Sequence, residues 1–204
     1  MSNAPLYVLG GGGHAKVVID TLKASGATIT GVIDPKLGVG TFLLGVPGAG
    51  GDELMQTLDP RNVRIANGVG ATVKSRVNRK LYEIWTEHGF RFVSMVHPSA
   101  IIGAEVKLAE GCQIMAGAIV QPHARIGTGT VINTAASIDH DCVVGAHCFV
   151  APSVTLCGDA QVGPGCFIGA SATLLPGVKV GPNVLIAAGA MVDSDVADGA
   201  FVAR

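Results

Sequence analysis

From Val96 onward every sixth residue is Val, Ile or Leu. The series runs Ile102, Leu108, Ile114, Val120, Ile126, Ile132, Ile138, Val144 and Val150, then Leu156, Val162, Ile168, Leu174, Val180, Ile186 and Val192. Sixteen hexads follow one another from Ile102 to Ala197 without an inserted residue. A second column stands four residues after each aliphatic and is small or modest, as at Cys112, Ala118, Ala136, Cys142, Cys148, Ala160 and Cys166. A period of six matches neither a helix nor simple strand alternation. It predicts a short strand, a corner and a repeat, with the aliphatic inward and the small residue at the tight corner. Glycine one residue after the aliphatic, at Gly103, Gly127, Gly145, Gly163, Gly169 and Gly181, is expected to supply φ > 0 at the turn.

The first 96 residues follow a different pattern. Residues 5–10 read as a strand, Gly10–His14 as a turn, and 15–24 as a helix. Strands are predicted at 28–33 and 64–67, a helix at 72–87, and a last strand at 90–96 that feeds the repeats. Alternating strands and helices imply a small parallel sheet. Two domains result, at 1–96 and 97–204.

Composition narrows the class. The chain of 204 residues has 29 glycines, 49% hydrophobic residues and only 14% charged ones, which excludes intrinsic disorder. Aromatics make up 4%, so the core must come from Val, Ile, Leu and Ala. The net charge is −1 and no basic run exists, which argues against nucleic acid as a partner. No apolar run is long enough for a membrane helix. Five cysteines without a CxxC pair point to a reducing cytoplasm.

Two segments carry candidate chemistry. Gly10-x-Gly12-x-x-Ala15, with Asp34 at the end of the second strand, fits a relaxed phosphate-binding turn. Three readings remain: a nucleotide-sugar phosphate, a structural turn, or a redox dinucleotide. The other segment is Asn133-Thr134 through Ser137-Ile138-Asp139-His140-Asp141-Cys142. Histidine is the usual base at neutral pH, and a carboxylate can orient it. Asp139 and Asp141 flank His140, and only one of them can be the orienter. An exposed corner histidine between solvating acids is the bland counterpart. Inward columns account for four of the cysteines as small buried residues.

The hexads resemble the hexapeptide-repeat family, whose fold is a left-handed parallel β-helix. The opening GGGGHAKVV, a half-Rossmann-like α/β domain and the hexads together resemble bacterial sugar acetyltransferases. These are the sialic acid O-acetyltransferases and the N-acetyltransferases of nucleotide-linked amino sugars. The resemblance implies an acetyl-CoA-dependent N-acetyltransferase serving bacterial surface glycan synthesis, assembled as a homotrimer with sites between prisms. It implies His140 as base, Asp141 as its orienter and Gly158, one coil later, as an oxyanion donor. Gly10, Gly12, Gly13, His14, Asp34, Asn67 and Gly68 would contact the nucleotide sugar, with Asn133 and Thr134 on a corner near the base. Coenzyme A would lie by Phe149, Gly169, Ala170, Ala187 and Ala188, where small residues leave room beside the prism. Phe149 stands where the family commonly has a second histidine. No metal is expected, because the H-x4-H pair of zinc-binding prisms is missing. The alternatives are O-acetylation of a sialic acid-like sugar and a non-catalytic nucleotide-sugar-binding accessory subunit.

Overall fold

The computed structural model describes residues 4–72 and 75–203. Its contacts divide the chain into two compact units, one ending at Val93 and the other starting at Ser94.

The first unit holds β1 (Leu6–Leu9), α1 (Gly13–Ala24), β2 (Gly31–Ile33), β3 (Phe42–Leu43), β4 (Val46–Gly50), α2 (Asp52–Thr57), β5 (Arg64–Asn67) and α3 (Val77–Glu87). The sheet order is β3-β4-β2-β1-β5. Strands β4, β2, β1 and β5 run parallel, and β3 adds an antiparallel edge. The hairpin β3–β4 and the helix α2 were not legible as hydrophobic pattern, because both are short and glycine-rich or polar. Helix α1 buries Ala15, Val18, Ile19 and Leu22, the spacing of one helical face. Helix α3 starts later than the pattern predicts. Thr72 and Ser75 exchange backbone hydrogen bonds of 3.1 and 3.2 Å, which close a tight turn before it. Residues 73 and 74 of that expected helix lie outside the described residues. The core joins Leu9, Ile33 and Ile65 to Met55, Tyr82, Trp85, Phe90 and Phe92. Tyr82 stacks on Phe92 at 4.2 Å, and Trp85 meets Phe90 edge-on at 5.6 Å. The expected strand 90–96 is split. Phe92 bridges Ile65 in the first unit, whereas Met95–Val96 pairs with Gln113–Ile114 in the second.

The second unit is a left-handed parallel β-helix of two-residue strands. Three sheets form its faces. The first face runs from Met95–Val96 to Phe201–Val202 in seven strands, the second from Ile101–Ile102 to Met191–Val192 in six, and the third from Lys107–Leu108 to Lys179–Val180 in five. Except in the final coil, each strand pairs in register with the one eighteen residues on, as Ile119 with Ser137. The aliphatics from Ile114 to Val192 are buried, and the small column fills the interior beside them. Each buried aliphatic contributes about 1.5–3 kcal/mol. Burial also pushes the thiols of Cys112 and Cys142 up to about 11, so they stay protonated as packing residues.

The glycines after the aliphatics have another reason than the expected positive φ. Gly103, Gly127, Gly145, Gly163, Gly169 and Gly181 all keep ordinary φ. A Cβ on Gly127 would stand 2.5 Å from the Ala146 nitrogen, and one on Gly169 would stand 2.4 Å from the Ala188 nitrogen. They are small because the next coil's backbone lies against them. The left-handed residue comes two positions later. It recurs at every corner from Glu105 to Gly189, including His123, Asp141, His147 and Asp159. The strain is offset because its N–H bonds the coil below, as Asp141 N–H to Pro122 O at 3.1 Å.

The final hexad departs from the register. Val196 pairs with Val180 and Phe201 with Leu185, sixteen residues apart instead of eighteen. The side chain of Asp195 compensates by accepting the Lys179 N–H at 2.8 Å.

Candidate active site

His140 and Asp141 sit at the edge where the second face turns into the third. Asp141 takes the left-handed corner with φ 61°, and His140 precedes it. The His140 Nδ1 lies 2.9 Å from Asp141 Oδ2. Asp139 bonds elsewhere: its Oδ1 accepts the His140 backbone N–H at 2.8 Å. Asp141 is therefore the carboxylate that holds the ring. That leaves Nε2 as the free nitrogen, and it faces Gly158 on the next coil. A Cβ on Gly158 would lie 2.6 Å from Nε2 and 2.7 Å from Cε1. Gly158 has ordinary φ, so the imidazole alone demands a glycine there. Its N–H has no acceptor among the described residues.

The other candidates of this unit stand apart from His140. Asn133, Thr134, Gly169, Ala170, Ala187 and Ala188 lie on the edge between the first and second faces. One face width, carried by Ser137, Thr155 and Thr173, separates them from the base. The expected nearness of Asn133 and Thr134 to His140 within one prism is not what the coil places there. Gly169 is buried against the next coil, while Ala188 is exposed. Phe149 stacks face to face on Phe167 at 5.3 Å on the first face, presenting an apolar wall.

In the first unit, Gly10–His14, Asp34 and Asn67–Gly68 meet at the C-terminal ends of β1, β2 and β5, where parallel sheets bind ligands. The Gly11 N–H donates to Asp34 Oδ2 at 2.7 Å, and Lys36 N–H donates to Oδ1 at 2.8 Å. Asn67 spends its amide inside the chain, on Asn78 O at 3.2 Å and Val69 N–H at 3.1 Å. Gly68 is glycine because β1 and α1 approach it, with a Cβ landing 2.7 Å from Val8 Cγ1 and 3.0 Å from Ala15 Cβ. Gly12 and Gly13 differ from these. Their added Cβ atoms would meet nothing within 4 Å, and neither has positive φ. They leave open space and unused N–H groups at the start of α1, the positive end of the helix.

Residues 5–83 match the family model described as the PglD N-terminal domain, and residues 159–194 match the one described as bacterial transferase hexapeptide (six repeats). No curated protein sequence matches the chain. Among solved structures it is similar to perosamine N-acetyltransferase from Caulobacter crescentus, a histidine-to-asparagine mutant in complex with CoA and GDP-perosamine. The identity is 36% over 98% of this chain and 93% of that one, with a TM-score of 0.89. It is also similar to the acetyltransferase domain of PglB from Neisseria gonorrhoeae, at 32% identity over 98% and 96% of the chains and a TM-score of 0.88. That domain has also been solved with acetyl coenzyme A. The chain belongs to the nucleotide-amino-sugar N-acetyltransferases.

Electrostatics in this family member favour a basic imidazole. The Asp141 hydrogen bond first, then the charge of Asp139, raises the His140 pKa above its ordinary 6.5, with Asp159 adding to the effect. Two features had no role assigned from the sequence. Asp159, which the coil spacing places over Asp141, adds its charge near His140. A groove of about 730 Å³ lines the third face with Val143, Gln161, Lys179 and Asp195–Ala197, where the final coil is short. Among the described residues no group of three His, Cys, Asp or Glu could hold a metal ion. None of their helices is long and apolar enough to cross a membrane.

Proposed function

We propose that the protein transfers the acetyl group of acetyl-CoA to the amino group of a nucleotide-linked sugar. One observation carries the assignment of roles: Asp141 holds Nδ1 of His140 and so presents Nε2 beneath Gly158. The substrate amine is protonated near neutrality and loses one proton before attack. Its nitrogen then adds to the thioester carbonyl as His140 Nε2 takes the second proton. Asp141 steadies the resulting imidazolium. The Gly158 N–H, which has no acceptor among the described residues, donates to the oxyanion of the tetrahedral intermediate. Collapse expels the CoA thiolate, which regains a proton from His140. The apolar Phe149 leaves this donor role to the backbone.

The first unit would hold the sugar nucleotide. Its diphosphate suits the open N–H groups of Gly12 and Gly13, with Asp34 keeping the loop in shape through Gly11. The solved relatives support both halves, since one is a complex with CoA and GDP-perosamine.

The active unit is proposed to be a cytoplasmic homotrimer. The base stands on one edge of the prism and the candidate cofactor residues stand on the neighbouring edge, so a single solenoid cannot join them. A three-fold arrangement brings unlike edges of two copies together. The second unit's aromatics, Phe149, Phe167 and Phe201, all stand in one outer column of the first face, which suits a face covered by another copy.

The test is His140→Ala assayed for CoA release with a panel of nucleotide-linked amino and hydroxyl sugars. Loss of about 10²–10⁴-fold in rate on an amino sugar is expected. Undiminished activity would overturn the assignment. Because the His140 pKa is raised and the base must be unprotonated, the acid limb of kcat/KM should lie above 6.5. Sedimentation checks the trimer.

A further inference from the structure

Two residues after each inward aliphatic, the corner presents an outward N–H. At Ala104, Ala146 and Ala170 it has no acceptor among the described residues, and Pro122, Pro152 and Pro182 lack it altogether. The solenoid does not need this hydrogen bond. His140 occupies the same position, yet its N–H donates to Asp139 Oδ1 at 2.8 Å. The bond joins a side chain to the next residue's N–H and closes a short ring around the peptide that links them. That peptide sets the direction in which the His140 side chain leaves the corner. The half-buried Asp139 makes no contact with the imidazole nitrogens, since Nδ1 belongs to Asp141.

We propose that Asp139 is a positioning residue, which locks the corner so that His140 Nε2 is presented beneath Gly158. The inference rests on His140 being the base. The same bond forms at Thr134, whose N–H donates to Asn133 Oδ1 at 2.8 Å, but the corners at Ala104, Ala146 and Ala170 fold without it, which separates a local role from a folding role. Asp139 also acts by charge. The charged groups near the imidazole are Asp139, Asp141 and Asp159, and His123 stands one coil below Asp141. Together the three carboxylates stabilise the imidazolium, with Asp139 the strongest of the purely Coulombic contributors.

Three variants separate the contributions. Asp139→Asn keeps an acceptor and removes the charge. Asp139→Glu keeps the charge but cannot close the same ring. Asp139→Ala removes both. Asp139→Ala and Asp139→Glu should each lower kcat roughly tenfold or more, with both KM values within about twofold. Asp139→Asn should stay within about threefold of the parent kcat. Its acid limb, and the NMR titration of the His140 ring, should move to lower pH. With Glu the limb should stay in place. A parent-like kcat in Asp139→Ala or Asp139→Glu overturns the proposal, as does an Asn variant as slow as Ala. A fall in melting temperature that tracks the loss of rate overturns it too. His140→Ala, run in parallel, tells the two failures apart. If it is inactive while Asp139→Ala is not, the base stands and the positioning role falls. If it is active, both fall.

Discussion

In the first unit no two elements are alike, whereas the second states one rule and repeats it. The first is closed by Tyr82, Trp85, Phe90 and Phe92, each in its own environment. The second is closed by stacked aliphatics and small residues, and its aromatics stand outside the core. The regularity of the second unit provides a background against which exceptions carry meaning. Every corner from Glu105 to Gly189 has the same left-handed residue, and those at Ala104, Ala146 and Ala170 leave the preceding N–H without an acceptor among the described residues, so a corner whose N–H is held by an aspartate beside a histidine stands out. The irregular unit offers no such background. There each glycine must be explained by its own surroundings, and at Gly12 and Gly13, at the start of α1, no described atom stands within 4 Å of an added Cβ.

That contrast can be tested most severely where the repeat meets the chemistry. Gly158→Ala should fold, since its φ is ordinary, but its Cβ would occlude Nε2 of His140. A loss of about 10²–10³-fold in kcat/KM with an unchanged circular dichroism spectrum is expected. Parent-like turnover would show that Nε2 does not act from that position.

The next test sorts the glycines of the solenoid. Gly127→Ala drives a Cβ to 2.5 Å from backbone of the next coil, whereas Gly117, at φ 68°, has its nearest atom at 3.9 Å. Gly117→Ala should cost about 1–2 kcal/mol for the left-handed backbone, and Gly127→Ala more than that, in urea unfolding. The reverse order would mean that conformation, not coil contact, selects glycine after the aliphatics.

In the irregular unit the corresponding substitution should behave differently. Gly12→Ala should leave stability unchanged or raise it by up to about 1 kcal/mol. It should nevertheless raise KM for the sugar nucleotide, because the added methyl occupies space left open at the helix end. Equal KM values would assign that space to nothing. The smallest effect is expected for Ala146→Pro. Its N–H has no acceptor among the described residues, and Gly163-Pro164 shows the same dipeptide at the equivalent corner. Stability should change by less than about 1 kcal/mol, read from thermal unfolding.

Much of the second unit was legible because a six-residue period has a single physical solution, and strand, corner and coil follow from it. The residues alone left Asp139 and Asp141 open as the partner of His140, and only the family resemblance pointed to Asp141. Two carboxylates flank the histidine in sequence, and only the left-handed corner at Asp141 decides which of them reaches Nδ1. The separation of Asn133 and Thr134 from the base was also hidden, because neighbours in sequence turn onto different edges. In the first unit the strands β1, β2 and β5 and the helix α1 were visible from apolar runs and periodicity. The hairpin β3–β4 and the helix α2 were too short to show a period. The glycines after some of the aliphatics were seen, but their cause was misassigned: coil contact is a long-range property, with the next coil's backbone, that local pattern does not reveal.

The sequence by itself determined the coil, since inward aliphatics at a constant interval can be buried in only one way. It also determined where the exceptional residues lie along the chain. Only the tertiary structure decided what they do together. The eighteen-residue coil already placed Gly158 over His140, but only the corner backbone turns Asp141 onto the ring and Asp139 onto the peptide behind it. Those contacts join residues through backbone direction at the corner, which hydrophobic pattern does not encode.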